Sequence, residues 1–214
     1  MNNLKAIIFD LDGTLINTDE LIIASYHAVF NKFRPDYKLT REEEISFLGP
    51  PLEVMFKKYF KEDFDTLLHE YRKYAHEHTL ELASTYDYVE EMLQFLNDNN
   101  YIVCLVTSRF SGSAESMLEI FNLRKYFKRL VCLDDVVNPK PSPEGLLKLL
   151  NEFHLKNDEV LYIGDTASDC KAGQGAKVYT GLVGWSQQNK EDIHPDIIIE
   201  DYKSLERMLK NGKN

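Results

Sequence analysis

The sequence predicts an α/β fold in which a doubly wound parallel sheet is interrupted early by a helical insertion. Short apolar runs alternate with amphipathic stretches, and this alternation is typical of a parallel sheet covered by helices on both faces. Residues 18–82 depart from the pattern, because their apolar residues recur only at helical spacing. We therefore expect a Rossmann-like α/β core domain formed by residues 1–16 and 83–214, and a helical domain formed by residues 17–82.

The core elements follow from the order of the apolar runs. Residues 6–9 (AIIF) form a short run of four apolar residues, which predicts a buried central strand. The expected strands are residues 6–9, 101–106, 129–133, 160–163 and 197–199. We expect five helices. They are residues 87–97, a helix that includes residues 117–121, a helix from Pro143 to Phe153, a helix that ends just before Lys177, and a helix that includes residues 205–209.

The helical domain contains four amphipathic segments between residues 18 and 82. The first ends at Pro35, because proline cannot continue a helix. Residues 40–43 (TREE) have the form of a capping box and predict the start of the second helix. Residues 49–51 (GPP) break the chain before the third, and the fourth covers residues 64–80. We expect a bundle of about four helices.

The charge of the chain restricts its partners. Its 35 acidic and 25 basic side chains give a formal net charge of −10. Such a field repels nucleic-acid backbones and anionic membranes, so we expect neither as a partner. It also repels small phosphorylated molecules, and a site for one of them must supply local positive charge.

The cysteines and the apolar stretches indicate a cytoplasmic protein. Cys104, Cys132 and Cys170 are widely spaced, which argues against a disulfide framework or a zinc cluster. The chain passes from Met1 into the first strand without a leader-like segment. No apolar stretch approaches the ~20 residues that a membrane span needs.

Two carboxylates, Asp10 and Asp12, follow the first strand, and Gly13 comes next. Burying two acids at a strand end is costly unless a cation compensates them. The simplest cation with a preference for oxygen ligands is Mg²⁺, and ligands of open α/β sheets bind at this end of the strands. The alternative is a solvated turn in which both acids face water.

Polar residues follow two other predicted strands. Thr107, Ser108 and Arg109 come directly after residues 101–106. The Thr107 hydroxyl is suited to bind a phosphate oxygen at a helix start, or alternatively to cap that helix. Arg109 is close enough in sequence to reach a second anionic group of a ligand.

The remaining polar candidates are a lysine and a pair of acids. Lys140 lies among three prolines in residues 138–143 (NPKPSP), which stiffen its backbone, so it could pair with an acid and a phosphate or be an ordinary loop lysine. Asp165 and Asp169 are four residues apart and lie on one helix face, where both can address one cation. The alternative to a cation site is a helix start in which Asp165 is the N-cap and Asp169 is an ordinary acid of the first turn.

These four segments resemble the four motifs of the haloacid dehalogenase-like (HAD) hydrolase superfamily. They are residues 10–15 (DLDGTL), Thr107, residues 140–143 (KPSP) and residues 164–169 (GDTASD). They occur in the family's order and cover the whole core, although the residues after Asp169 differ from the usual alanine pairs. The resemblance implies a Mg²⁺-dependent hydrolase in which residues 17–82 form a cap that excludes water.

The resemblance also implies roles for the acids. Asp10 is the nucleophile that becomes an aspartyl-phosphate, and Asp12 is the general acid and base. Mg²⁺ is held by the Asp10 side chain, the Asp12 backbone carbonyl and Asp165, with Asp169 in support. Lys140 pairs with the nucleophile and with the phosphate.

The substrate-binding residues implied in the same way are Thr107, Ser108, Arg109 and Lys140. Residues 49–52 (GPPL) resemble the cap loop of phosphoglycolate phosphatases and of a related bacillary pyrophosphatase. The resulting hypothesis is a phosphatase for a small phosphorylated metabolite, similar to phosphoglycolate phosphatases, with inorganic pyrophosphate as the alternative substrate. We expect a monomer or a homodimer.

Three other function classes are disfavoured. A dehalogenase does not need the acids Asp12, Asp165 and Asp169. Phosphomutases of the family carry extra basic residues in the cap loop, which residues 50–53 (PPLE) lack. A non-enzymatic phosphoacceptor module also has acids, a hydroxyl and a lysine at strand ends, but the helical insertion and the second acid pair argue against it.

Overall fold

The computed structural model describes residues 3–186 and 193–211. The strands are β1 Ala6–Phe9, β2 Ile16–Asn17, β3 Ser84–Thr85, β4 Ile102–Val106, β5 Arg129–Val131, β6 Val160–Gly164, β7 Tyr179–Val183 and β8 Ile197–Ile199. The helices are α1 Asp19–Phe33, α2 Arg41–Ser46, α3 Leu52–Tyr59, α4 Phe64–Leu82, α5 Val89–Asp98, α6 Ser111–Ile120, α7 Glu144–Glu152, α8 Ala167–Ala176 and α9 Tyr202–Asn211. No helix in these described residues combines the length and the apolar character of a membrane span.

The chain divides into two compact units, one of Met1–Ile16 with Thr85–Asn214 and one of Asn17–Ser84. Within the described residues of the first unit, six strands form a parallel sheet in the order β5-β4-β1-β6-β7-β8. The predicted fold class is confirmed, because this is an α/β sheet with flanking helices.

Strand β1 lies in the centre of the sheet and pairs with β4 on one side and β6 on the other. All four of its residues are fully buried, which explains why they are uniformly apolar. The strand order reverses at β1, so a crevice opens at the carboxyl ends of β1, β4 and β6. Phe9 aligns with Leu105 and with Ile163, and the residues that follow these three strands are therefore neighbours.

The two faces of β1 contact different helices, because successive side chains of a strand point in opposite directions. Ala6 and Ile8 belong to a buried cluster that includes Leu146 and Leu149 of α7 and residues of α8. On the opposite face, the ring of Phe9 packs edge-on against Tyr202 of α9, with 6.3 Å between ring centroids. Helices thus cover the sheet on both sides, as the alternating sequence predicts.

The second unit contains helices α1 to α4 around an aromatic core. Tyr26 of α1 stacks on Phe47 with 4.1 Å between ring centroids, and Phe56 of α3 and Tyr71 of α4 pack edge-on against Tyr26. Helix α2 begins with the predicted capping box, in which Thr40 and Glu43 exchange side-chain and backbone hydrogen bonds.

The described structure differs from the sequence predictions at several elements. The short strands β2 and β3 pair with each other and are too brief to leave an alternating pattern. Strand β7 is not among the expected strands, because the sequence predicts only a helix that leads to residues 177–179. Strand β5 ends two residues earlier than predicted because a 3₁₀ turn begins at Leu133. Pro143 occupies the N-cap position of α7 instead of its first turn.

The packing of α8 on β7 generates a stability prediction. A Cβ added at Gly173 of α8 would lie 2.4 Å from Thr180 Cγ2, whereas one added at Gly112 of α6 would meet no atom within 4 Å. We expect Gly173→Ala to lower the free energy of unfolding by about 1–3 kcal/mol through overpacking. The matched Gly112→Ala should be neutral or slightly stabilising, because alanine favours a helix over glycine. Urea unfolding of both variants checks this, and equal effects would contradict it.

Candidate active site

The candidate site lies at the carboxyl edge of the central strands. Asp10 follows β1, Thr107 follows β4 and Asp165 follows β6. The Asp10 backbone N–H donates to Ile163 O at 2.8 Å, and the Thr107 N–H donates to Val131 O at 3.0 Å. These bonds continue the sheet ladder by one residue, so the side chains are carried by rigid backbone at the point where the strand order reverses.

Lys140 joins two of the predicted acids. Its Nζ lies 2.7 Å from Asp10 Oδ1 and 2.7 Å from Asp169 Oδ1. All three side chains are buried, with 7% of Lys140, 8% of Asp10 and 1% of Asp169 exposed. Burial disfavours the charged lysine, but the two carboxylates outweigh it and raise the pKa of Lys140 above its ordinary value. Lys140 is therefore a fixed positive charge inside the site.

Asp169 holds several groups at once. Its Oδ1 accepts from Lys140 Nζ and from the Tyr162 hydroxyl at 2.7 Å, and its Oδ2 accepts from the Thr166 N–H at 3.0 Å and hydroxyl at 2.5 Å. Burial opposes its ionisation, but Lys140 and the hydroxyl donors lower the pKa of Asp169. A Cβ on Gly164 would lie 2.4 Å from Asp169 Cβ, so this glycine allows the close approach.

Asp10 lies in a less balanced environment. Burial raises the pKa of Asp10 to about 7, and the carboxylates of Asp169 and Asp12 add to this effect although Lys140 opposes it. Among the described residues of the site, the carboxylates outnumber the cationic side chains. A further cation would compensate the excess.

The donor set fits a hard divalent cation. Asp10, Asp165 and Asp169 each offer one carboxylate oxygen, and these three atoms lie within 4.8 Å of one another. Carboxylate oxygens are the ligands that Mg²⁺ prefers, and buried acids in excess of their cationic partners favour its binding. Both oxygens of Asp169 also accept protein donors.

The loop after β1 is packed directly on Asp165. Gly13 has a φ of +70°, and a Cβ there would lie 2.2 Å from Asp165 Oδ2. Both the backbone conformation and the lack of space require glycine at this position. The Gly13 of the DLDGTL sequence therefore allows the acids that follow two different strands to approach.

Aromatic residues that sequence reasoning missed hold this loop. Trp185 Nε1 donates to Gly13 O at 2.9 Å, and the Tyr202 hydroxyl donates to Thr14 O at 2.8 Å. The two rings pack edge-on with 5.2 Å between centroids, and the Tyr86 ring packs against Trp185 with 4.8 Å between centroids. The signal that could have pointed to this contact is the position of Trp185, the only tryptophan of the chain, just after an apolar run.

Thr107, Ser108 and Arg109 lie at the end of β4, as predicted. The buried Thr107 hydroxyl accepts from the Arg109 N–H at 3.2 Å, and Ser108 is half-buried beside it. The alternative role of Thr107 as a helix cap is wrong, because α6 begins at Ser111, whose N–H donates to Asp134 Oδ1 at 2.8 Å.

The Arg109 guanidinium contacts an acid of the site itself. Its Nε lies 2.6 Å from Asp12 Oδ2 and its Nη2 lies 2.7 Å from Asp12 Oδ1, while Nη1 donates to Ser113 Oγ at 2.9 Å. This is a bidentate pair, the strongest geometry for an arginine and a carboxylate. Sequence reasoning placed Arg109 near the site but did not predict this partner.

Comparisons with known proteins agree with the geometry. A model of the haloacid dehalogenase-like hydrolase family matches residues 7–183. A pyrophosphatase PpaX from Halalkalibacterium halodurans is 35% identical over 205 residues, which cover 94% of this chain and 95% of that protein. A pyrophosphatase PpaX from Bacillus cereus is 36% identical over 212 residues, which cover 97% of both chains.

A solved structure shows the same fold. It is a predicted phosphoglycolate phosphatase from Haemophilus somnus, which superposes with a TM-score of 0.86. The comparison covers 97% of this chain and 99% of the other, at 21% sequence identity. At that identity the likeness supports the architecture of the chain and does not identify its substrate.

The bridging position of Lys140 generates a prediction. We expect Lys140→Met to lower the free energy of unfolding by about 3–5 kcal/mol in metal-free buffer, because Asp10 and Asp169 would remain buried without their common cation. Urea unfolding with a chelator measures this. The matched Lys148→Met removes an exposed ion pair with Glu144 and should change stability little. A loss no larger than that of the control would contradict the compensating role of Lys140.

Proposed function

This chain belongs to the haloacid dehalogenase-like hydrolase family, and on that premise we propose that it is a Mg²⁺-dependent phosphatase that acts through an aspartyl-phosphate. The observation that carries the proposal is the buried cluster in which Lys140 bridges Asp10 and Asp169 within reach of Asp165. A nucleophilic carboxylate held by a lysine beside a cation-binding set of oxygens is suited to phosphoryl transfer.

We assign both steps of the reaction to the two acids after β1. Asp10 attacks phosphorus in line, the bond from phosphorus to the leaving oxygen breaks, and Asp12 gives that oxygen a proton. A water molecule then attacks the aspartyl-phosphate, and Asp12 takes the proton of the water. Inorganic phosphate leaves and Asp10 returns as a carboxylate.

The other site residues would bind and orient the phosphoryl group. Lys140 supplies a positive charge to the phosphate oxygens, and the Thr107 hydroxyl supplies a hydrogen bond at the end of β4. Asp10, Asp165 and the Asp12 backbone carbonyl would hold Mg²⁺, with Asp169 in support. When bound, Mg²⁺ neutralises charge on the phosphoryl oxygens and favours the ionised form of the surrounding acids.

The relatives favour pyrophosphate as the substrate. Proteins named pyrophosphatase PpaX are 35–36% identical to this chain over nearly the full length of both. Phosphoglycolate is the second candidate, because residues 49–52 resemble the cap loop of phosphoglycolate phosphatases. Both molecules carry a second anionic group next to the scissile bond. The role of residues 17–82 as a cap is likewise a proposal from the family resemblance.

The nucleophile assignment is tested by an almost isosteric substitution. We expect Asp10→Asn to reduce phosphate release from pyrophosphate and phosphoglycolate by at least about 1000-fold, because the amide cannot attack phosphorus. The matched control is Asp158→Asn, an exposed acid that precedes β6 and therefore lies toward the opposite edge of the sheet. Near-normal turnover by Asp10→Asn would show that another group is the nucleophile.

The metal requirement is tested at Asp165. A chelator should reduce phosphate release to background, and added Mg²⁺ should restore it. Asp165→Asn should raise the Mg²⁺ concentration for half-maximal binding by about tenfold or more, because a carboxylate ligand is lost. Calorimetric titration of Mg²⁺ into wild type and variant measures this without turnover. Equal affinities would remove Asp165 from the metal site.

A further inference from the structure

Among the described residues, Arg109 is the site cation that binds Asp12, the residue predicted to act as both general acid and general base. Its guanidinium contacts both oxygens of Asp12 at 2.6 and 2.7 Å. The pair is partly exposed, with 16% of the Arg109 side chain and 22% of the Asp12 side chain accessible. Lys140, by contrast, is 7% exposed and bridges two carboxylates. Arg109 is thus the cation that a ligand can reach more easily.

The Arg109 backbone is anchored next to Thr107, the residue predicted to bind a phosphate oxygen. Its N–H donates to Thr107 Oγ at 3.2 Å, and its carbonyl accepts from the Leu133 N–H at 2.8 Å. The guanidinium Nη1 donates to Ser113 Oγ at 2.9 Å, at the start of α6. The Arg109 backbone is therefore held by hydrogen bonds at both its N–H and its carbonyl, so the guanidinium extends from a fixed base.

The pair with Asp12 conflicts with the role proposed for that acid. Asp12 must meet the leaving-group oxygen, yet both of its oxygens accept hydrogen bonds from Arg109. A carboxylate or phosphate on the substrate has the same acceptor geometry as the Asp12 carboxylate. Exchanging one bidentate partner for another therefore retains the charge-assisted bonds of the guanidinium.

We propose that Arg109 recognises a second anionic group on the substrate, and that this exchange of partners releases Asp12 toward the leaving group. The proposal rests on the proposed phosphatase function. It defines the substrate class as small phosphate esters or anhydrides with a carboxylate or phosphate next to the scissile bond. An alkyl phosphate without such a group would leave Arg109 on Asp12.

Two substrates of similar size isolate this effect. Phosphoglycolate and ethyl phosphate differ in that a carboxylate of the first is replaced by a methyl group in the second. Wild type should show a higher kcat/KM for phosphoglycolate. Arg109→Gln should reduce the ratio of the two kcat/KM values by about tenfold or more, the scale of a lost hydrogen bond to a charged group. Pyrophosphate should follow phosphoglycolate, and ethyl phosphate should lose clearly less activity than either.

Two further variants separate recognition from structure. Arg109→Lys keeps the charge but lacks the planar fork, so its selectivity should lie between wild type and Arg109→Gln. Arg124→Gln is the matched control, because Arg124 pairs with Glu115 outside the site, and its selectivity should equal that of wild type. If Arg109→Gln fails to fold, the Arg109→Lys result decides the question.

Each contrary outcome has a distinct meaning. A parallel loss on phosphoglycolate and ethyl phosphate in both Arg109 variants would overturn the proposal and leave Arg109 as a residue that only positions Asp12. Equal hydrolysis of the two substrates by wild type would also overturn it, while the phosphatase assignment stands. No phosphate release by wild type from any of the three substrates would overturn the proposed function itself.

Discussion

The bridge from Lys140 to Asp10 and Asp169 is the interaction on which the rest of the site depends. Asp10, which follows β1, and Asp169, in the first turn of α8, are buried carboxylates that could not lie this close without a cation between them. Lys140 supplies that cation from a proline-rich loop, and Asp169 holds the lysine in place with help from Tyr162 and Thr166. The position of Asp10 is therefore determined by three separate segments of the core.

The fold places these segments together for a simple reason. Strand β1 is central, and later strands are added to the sheet on both of its sides, so the ends of β4, β1 and β6 lie side by side. Glycines then allow close approach. A Cβ at Gly13 would collide with Asp165, and a Cβ at Gly164 would collide with Asp169 in the first turn of α8. The close spacing of the acids thus comes from backbone contacts as much as from the acids themselves.

The predictable parts of the molecule are those that depend on the pattern of residue types within one short segment. The buried run at β1 and the capping box at Thr40 could be recognised because each depends on residues close in sequence. The family resemblance predicted Lys140 beside Asp10, although 130 residues separate them. The pairing of Arg109 with Asp12 and the bond from Trp185 to the loop after β1 could not be predicted, because each depends on the direction of a side chain across the folded crevice.

Trp185 has a practical consequence. It is the only tryptophan of the chain, and its indole N–H is bonded to the backbone of the loop that carries Asp12. The environment of an indole determines its emission, so the tryptophan fluorescence of the unlabelled protein arises from one ring at the edge of the site. Any ligand that moves the loop after β1 would change that emission, and the protein carries its own optical reporter of site occupancy.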